Sequence, residues 1–172
     1  EIRVRADPVD VTVAATTAVS ALWLTPRITA FWRAHPTIAV SQLVSDVGSP
    51  AGRTDLSILY GAPQDDGLGT RELFSDRILA LGTPGFAAEY AIATLDDLAR
   101  APLIHSSPEE TGWTTWEQWF GHHGHDAAQG RRFRVNNYMI GLLAAQDGVG
   151  AILGWERLVS DLLAEGKLVP LV

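Results

Sequence analysis

Phe133-Arg-Val-Asn-Asn-Tyr-Met-Ile-Gly-Leu-Leu-Ala-Ala-Gln146, followed by Asp147-Gly-Val-Gly-Ala-Ile-Leu-Gly154, is the stretch whose reading decides the fold. It gives a short strand, two asparagines at a helix start, an amphipathic helix, a glycine turn and a second apolar strand. A strand that feeds a helix N-terminus presents free backbone N–H groups and a positive partial charge to a small anion. The segment has the features of half a ligand cleft rather than of a bond-breaking centre.

The same punctuation extends outward in both directions. Residues 9–15 alternate polar and apolar side chains as a strand does, and Thr16 and Thr17 follow. A helical pattern then places Leu24, Ile28, Phe31 and Trp32 on one face, with Pro26 either in a first turn after Thr25 or at a kink. His35-Pro36 ends that helix, since a residue before proline avoids the α region. Residues 38–44 and 55–60 read as the second and third strands, and the loop 61–69 is turn chemistry. Residues 77–82 form another strand, Thr83-Pro84 opens a short helix, and Thr94 caps a helix over 95–100. A brief strand at 103–105 precedes a helix carrying Trp113, Trp116, Trp119 and Phe120, read as core because their spacing follows a helical face. Residues 158–164 are helical, Gly166 closes them, and 168–172 are extended. Strands alternating with helices of ~8–18 residues argue for an α/β class with parallel sheets.

Composition limits the function. A chain of 172 residues forms one domain or two small lobes, and its 47% hydrophobic and 19% charged content is that of an ordinary globular protein. No apolar run approaches the ~20 residues that span a bilayer, and residues 1–5 are not a signal peptide, so no membrane partner is expected. The lack of cysteine excludes disulfides and thiolate metal sites and fits a reducing, cytoplasmic compartment. A net charge of −7 disfavours a surface that neutralises phosphates, so the chain itself is not expected to bind DNA.

Candidate chemistry is sparse. Gly121-His-His-Gly-His-Asp126 is the densest set of potential metal ligands, but its spacing matches no closed zinc site and it reads as a solvated turn. There is no nucleophile elbow, phosphate loop or dinucleotide fingerprint. The paired carboxylates at 65–66, 96–97 and 109–110 fall in loops or at helix starts, where they favour the helix dipole or solvent. Neither catalysis nor a cofactor is expected.

The order of the motifs carries more than any one of them. Trp23-Leu-Thr-Pro-Arg27, Phe31 with His35-Pro36, Asp55-Leu-Ser-Ile-Leu-Tyr-Gly61, Leu95-Asp-Asp-Leu98, Leu103-Ile-His105, Trp113 with Trp116, Gly148-Val-Gly150 and Gly166-Lys-Leu-Val169 run in sequence from near Val11 to Val172. In that order the chain resembles the effector-binding domain of a LysR-type transcriptional regulator, in the branch that includes the glycine-cleavage activator. The resemblance implies a type 2 periplasmic-binding-protein-like α/β fold with a small-molecule cleft between two lobes. Lobe I would hold about 9–76 and 155–172, and lobe II about 77–154. The resemblance also implies a DNA-reading winged helix-turn-helix, absent from this chain, which is then an excised regulatory domain. Family chains continue past Val172 with a strand and a helix, whose absence would leave lobe II incomplete. A cytoplasmic homodimer is implied, with residues 28–33 facing residues 139–145 of a second copy, and with DNA contacted only through the absent domain.

The resemblance also assigns candidate effector-binding residues. Thr16 and Thr17 stand where the family binds effector with hydroxyls and backbone N–H groups, or they simply cap the helix, since both roles use one terminus. Serine is commoner in the family at the position of Ala18. Asn136 and Asn137 occupy positions commonly held by aspartate and then serine or threonine; one is read as an N-cap and Asn137 as a cleft residue. Tyr60 and Gly61 end a strand, where ligands of open α/β sheets sit, although Tyr60 could equally cover the core. Ser106 and Ser107 are polar candidates beyond His105, and Gly154-Trp155 marks a crossover where glycine permits close backbone approach. The expected partner is a small polar effector, an anion among the possibilities. Two other classes remain: a solute-binding protein of a transporter, and a small α/β enzyme using His105 with a neighbouring carboxylate.

Overall fold

The computed structural model describes residues 9–47, 53–61, 69–106, 112–126 and 129–172. The chain divides into two compact units, Glu1–Ala62 and Pro63–Val172.

In the first unit, β1 (Val9–Ala15) lies between β2 (Ile38–Val44) and β3 (Leu56–Ser57), all parallel. The β1–β2 ladder runs in register from Val9 opposite Ile38 to Ala15 opposite Val44. The third strand is shorter than the expected 55–60. The Asp55 carboxylate accepts the Thr12 N–H at 2.9 Å, Ile58 N–H reaches Ala14 carbonyl at 2.8 Å, and the ladder stops there. Leu59 beyond it is exposed.

A helix follows β1 directly. Residues 17–18 are α-helical, Val19–Leu24 adopt π geometry, and α1 (Thr25–Ala34) continues without a break. Pro26 is therefore interior to a helix rather than at its start. Proline has no N–H for the preceding turn, and the widened turn accommodates it: Thr25 N–H donates to the Ser20 carbonyl, five residues back. Arg27 reinforces the same turn, donating to the Trp23 carbonyl at 2.7 Å with its guanidinium 4.2 Å over the indole. Leu24 and Ile28 pack with Val13 into a small core. Phe31 and Trp32, expected on that buried face, are exposed because the core ends at Ile28.

The second unit is a mixed sheet. β5 (Leu103–Ser106) pairs parallel with β6 (Arg132–Val135), and a parallel bridge from Leu103 to Ala151 ties β5 to the start of β7 (Ile152–Trp155). β4 (Ile78–Gly82) runs antiparallel to β7 on one side and to β8 (Val169–Pro170) on the other. The expected parallel sense thus holds for β5, β6 and β7, whereas β4 has the opposite sense, as an antiparallel strand in a mixed α/β sheet does. Residues 155–172, expected to return to the first lobe, belong to this unit: Leu171 N–H donates to the Ala80 carbonyl at 3.0 Å and its side chain enters the core.

Local chemistry starts the helices. Thr83 caps α2 (Pro84–Glu89) by accepting the Phe86 N–H. Thr94 with Asp97, and Thr115 with Gln118, form capping boxes on α3 (Leu95–Arg100) and α4 (Trp116–His122). α5 (Tyr138–Gln146) starts on Asn137, and α6 (Ser160–Ala164) is followed by Gly166 with φ +67°. Leu98, Leu103, Trp116, Phe120, Ala151 and Leu153 form the centre of the core. The Trp116 and Trp119 indoles are satisfied by the Ile104 and Ile78 carbonyls at 2.9 and 3.0 Å. Trp113, expected on α4, precedes it instead.

Candidate functional site

At the start of the first helix the two threonines do different work. The Thr16 hydroxyl accepts the Val19 N–H at 3.4 Å and its carbonyl accepts the Ser20 N–H at 2.9 Å, which is a capping role. Thr17 instead donates both its amide, at 2.8 Å, and its hydroxyl, at 3.0 Å, to the carboxylate of Asp46 just beyond β2. A carboxylate of the chain itself thus already meets the positive end of this helix. Asp46 drew no attention in the sequence, because an aspartate two residues past a strand reads as turn chemistry. Ala18, where a third hydroxyl was lacking, is buried. Tyr60 is half exposed past β3, and Gly61 turns with φ +105° in open space.

In the second unit, Asn137 is the N-cap of α5, its side-chain oxygen accepting the Ile140 N–H at 3.2 Å, while Asn136 is exposed. Ser106 ends β5 and Trp155 ends β7, and both line one cavity of about 180 Å³. Ser107 lies outside the described residues. Gly154 is buried opposite Leu79, with the Tyr138 hydroxyl pressed close to it: a Cβ there would lie 3.0 Å from that oxygen and 2.5 Å from Leu81 Cδ1. The close approach read from the sequence is therefore side chain on backbone.

Sequence reasoning passed over most of the cavity wall. Trp113, Tyr138 and Trp155 form a ring of edge-on contacts, with centroids 5.9, 5.8 and 5.2 Å apart. Arg132 and Arg134 of β6, Glu117 of α4 and His105 of β5 supply its charged and titratable groups. Burial holds the His105 imidazole below its ordinary pKa, as do the two arginines, against the pull of Glu117. Burial pushes the Tyr138 phenol up, so it remains a neutral donor. Partial desolvation raises the Glu117 carboxyl, but backbone and Thr115 hydrogen bonds and nearby positive charge hold it low. The period-two alternation of β6 was the available signal, since it places Arg132 and Arg134 on one face.

Elsewhere, the His125 ring lies 2.7 Å from Asp96 and 2.7 Å from the Asp126 carbonyl, while the His123 ring stacks on Trp119 at 4.3 Å. These contacts serve the second-unit surface. Among the described residues, no group of three or more histidine, cysteine or acidic side chains is placed to share a metal ion, and no helix is long and apolar enough to cross a membrane.

The family model for the LysR substrate binding domain matches residues 10–172. The chain belongs to that family. The LysR-type domain is 25% identical over 158 residues to the HTH-type transcriptional regulator DsdC of Escherichia coli (strain K12), covering 88% of this chain and 51% of the relative. It is 29% identical over 150 residues to the glycine cleavage system transcriptional activator of the same organism, covering 86% and 48%. With the HTH-type transcriptional regulator PtxR of Pseudomonas aeruginosa the figures are 32% over 148 residues, 83% and 46%. This chain therefore spans about half the length of the curated relatives it matches. Its fold is shared with the regulatory domain of CrgA, a LysR-type transcriptional regulator from Neisseria meningitidis, at a TM-score of 0.77, with 23% identity and coverage of 94% and 80%. The AmpR effector binding domain from Citrobacter freundii gives a TM-score of 0.75, with 21% identity and coverage of 95% and 81%. The LysR-type domain accordingly has the type 2 periplasmic-binding-protein-like α/β fold.

Proposed function

We propose that this chain is the ligand-sensing and dimerising part of a cytoplasmic LysR-type transcriptional regulator, and that it carries out no turnover. The observation that carries the reading is the match of the family model to almost the whole chain, from residue 10 to residue 172. The curated relatives that it resembles are transcriptional regulators, which disfavours a transporter's solute-binding protein or a small enzyme. DNA is reached through a helix-turn-helix elsewhere in the intact protein. A small effector acts by differential affinity for two arrangements of the regulator.

The groups to test as effector contacts are Thr16, Thr17, Tyr60 and Gly61 in the first unit, and Ser106, Asn136, Asn137, Gly154 and Trp155 in the second. The resident Asp46 carboxylate supports a ligand that presents a donor, not a bare anion, to Thr17. For the dimer, α1 offers exposed Phe31 and Trp32, and α5 offers exposed Ile140 and Leu143. Such apolar side chains are those that a second copy covers.

A thermal-shift screen of amino acids, purines, carboxylates and aromatic acids tests the sensor reading. A specific effector stabilises by about 2.7 kcal/mol at one hundred times its dissociation constant. Thr17→Val and Asn137→Leu should each reduce that shift. Shifts unchanged in both variants would remove those two residues from the site.

A further inference from the structure

The cavity of about 180 Å³ lies wholly within the second unit, walled by β5, β6, β7, the start of α4 with the residues leading into it, and the first residue of α5. One wall is aromatic: Trp113, Tyr138 and Trp155 meet edge to face, and Trp113 and Tyr138 are almost fully buried. Another wall is charged. His105 stands directly across the ladder from Arg134, and Leu103 across from Arg132, so both guanidinium groups share the face that lines the cavity. Among the described residues neither arginine makes an ion pair. His105 and Tyr138 place their polar side chains between these two walls.

We propose that this cavity binds a small monocarboxylate, its charged end on Arg132 and Arg134 and its compact apolar body against Trp113, Tyr138 and Trp155. The inference rests on the sensor reading and names the chemistry of its ligand. The sign and number of charges follow from the wall. Two guanidinium groups, one carboxylate at Glu117 and a neutral imidazole leave one positive charge, which a single carboxylate neutralises. A second negative charge would meet Glu117. Planar guanidinium groups match a carboxylate bidentately. Size follows from volume: a cavity of about 150 Å³ holds benzene, so this one admits a ligand close to benzoate.

The experiment titrates the whole chain with monocarboxylates from acetate to benzoate, followed by calorimetry and by the fluorescence of the cavity tryptophans. Benzylamine and inorganic phosphate serve as sign and shape controls. Arg132 and Arg134 are exposed at the rim, so Arg132→Gln and Arg134→Gln variants should fold, and their unchanged melting temperatures would verify it. Saturable benzoate binding, weakened about tenfold by each of those variants and strengthened by Glu117→Gln, is the expected result. Benzylamine or phosphate binding as tightly as benzoate overturns the proposal, as does no saturable carboxylate binding by about 10 mM. An effector of another class whose binding is lost in Thr17→Val and kept in Arg134→Gln overturns the carboxylate assignment while leaving the sensor reading in place.

Discussion

Asp46 accepts both the backbone amide and the hydroxyl of Thr17, at 2.8 and 3.0 Å, across 29 positions of sequence. The first helix of the chain therefore starts on a carboxylate delivered by the end of β2. A helix N-terminus favours negative charge, and here that preference is met internally. Any anion arriving from solvent competes with a group that is already aligned.

Asp46→Ala should accordingly cost about 1–2 kcal/mol of stability, the range of a lost N-terminal cap with a charged acceptor. Urea unfolding reads it directly. If an anionic effector does use this terminus, Asp46→Asn should tighten its binding by removing the competing charge, and a weakened affinity would argue that Asp46 itself contacts the ligand.

Gly154→Ala tests the close packing on β7. The added methyl would sit 2.5 Å from Leu81 Cδ1 and 3.0 Å from the Tyr138 hydroxyl, and Leu81 is fully buried. Overpacking of this kind costs about 1–3 kcal/mol. Thermal melting should show a clear drop, whereas Gly61→Ala meets no neighbour and is strained only by its positive φ of 105°.

Two histidines should pull stability in opposite directions with pH. Burial, then Arg132 and Arg134, hold His105 below its ordinary 6.5 against the nearby Glu117. The unfolded chain therefore binds the extra proton first, so stability is present above about 6.5 and is lost as pH falls towards the folded value. The Asp96 hydrogen bond raises His125 above 6.5, so its contribution is complete below 6.5 and is lost as pH rises through the folded value. Melting temperatures at about pH 5 and about pH 8 separate the two. His105→Asn should reduce the loss on the acid side, and His125→Asn should remove stabilisation that wild type has at the lower pH. Parallel profiles for wild type and His105→Asn would deny the first effect.

Association between copies is testable without any ligand. Trp32 is 46% exposed on α1, and Ile140 and Leu143 are 54% and 57% exposed on α5. Trp32→Arg and Ile140→Asp should convert a micromolar dimer to monomer in sedimentation, with little change in the melting of the monomer, because neither side chain enters a core. Sedimentation of the unaltered chain as monomer at that concentration would count against this interface.

Much of the architecture was legible from local signals. The β1 and β2 boundaries, the α3 helix with its Thr94 cap, and the strand–Asn137–helix unit that opens the decisive stretch all depend on side-chain alternation and cap chemistry. These are short-range effects, and they survive in any tertiary context that does not oppose them. The π turn around Pro26 was not legible, because a proline after threonine signals a helix start until the preceding residues are seen to be helical already.

The site divides in the same way. Sequence order placed Thr16, Thr17, Ser106, Asn137 and Trp155 on strand and helix ends, and cap chemistry alone proposes Asn137. Sequence could not pair Asp46 with Thr17, nor set Arg134 across from His105, nor press Tyr138 against Gly154, since each joins residues from separate elements. Local propensity and periodicity determine which residues are helical, extended or capping, because those energies act within a few positions of the chain. Which charges face one another, which side chains share a wall, and which strand runs against its neighbours were decided only by the tertiary structure, because burial and hydrogen bonding act between segments that only the completed fold brings together.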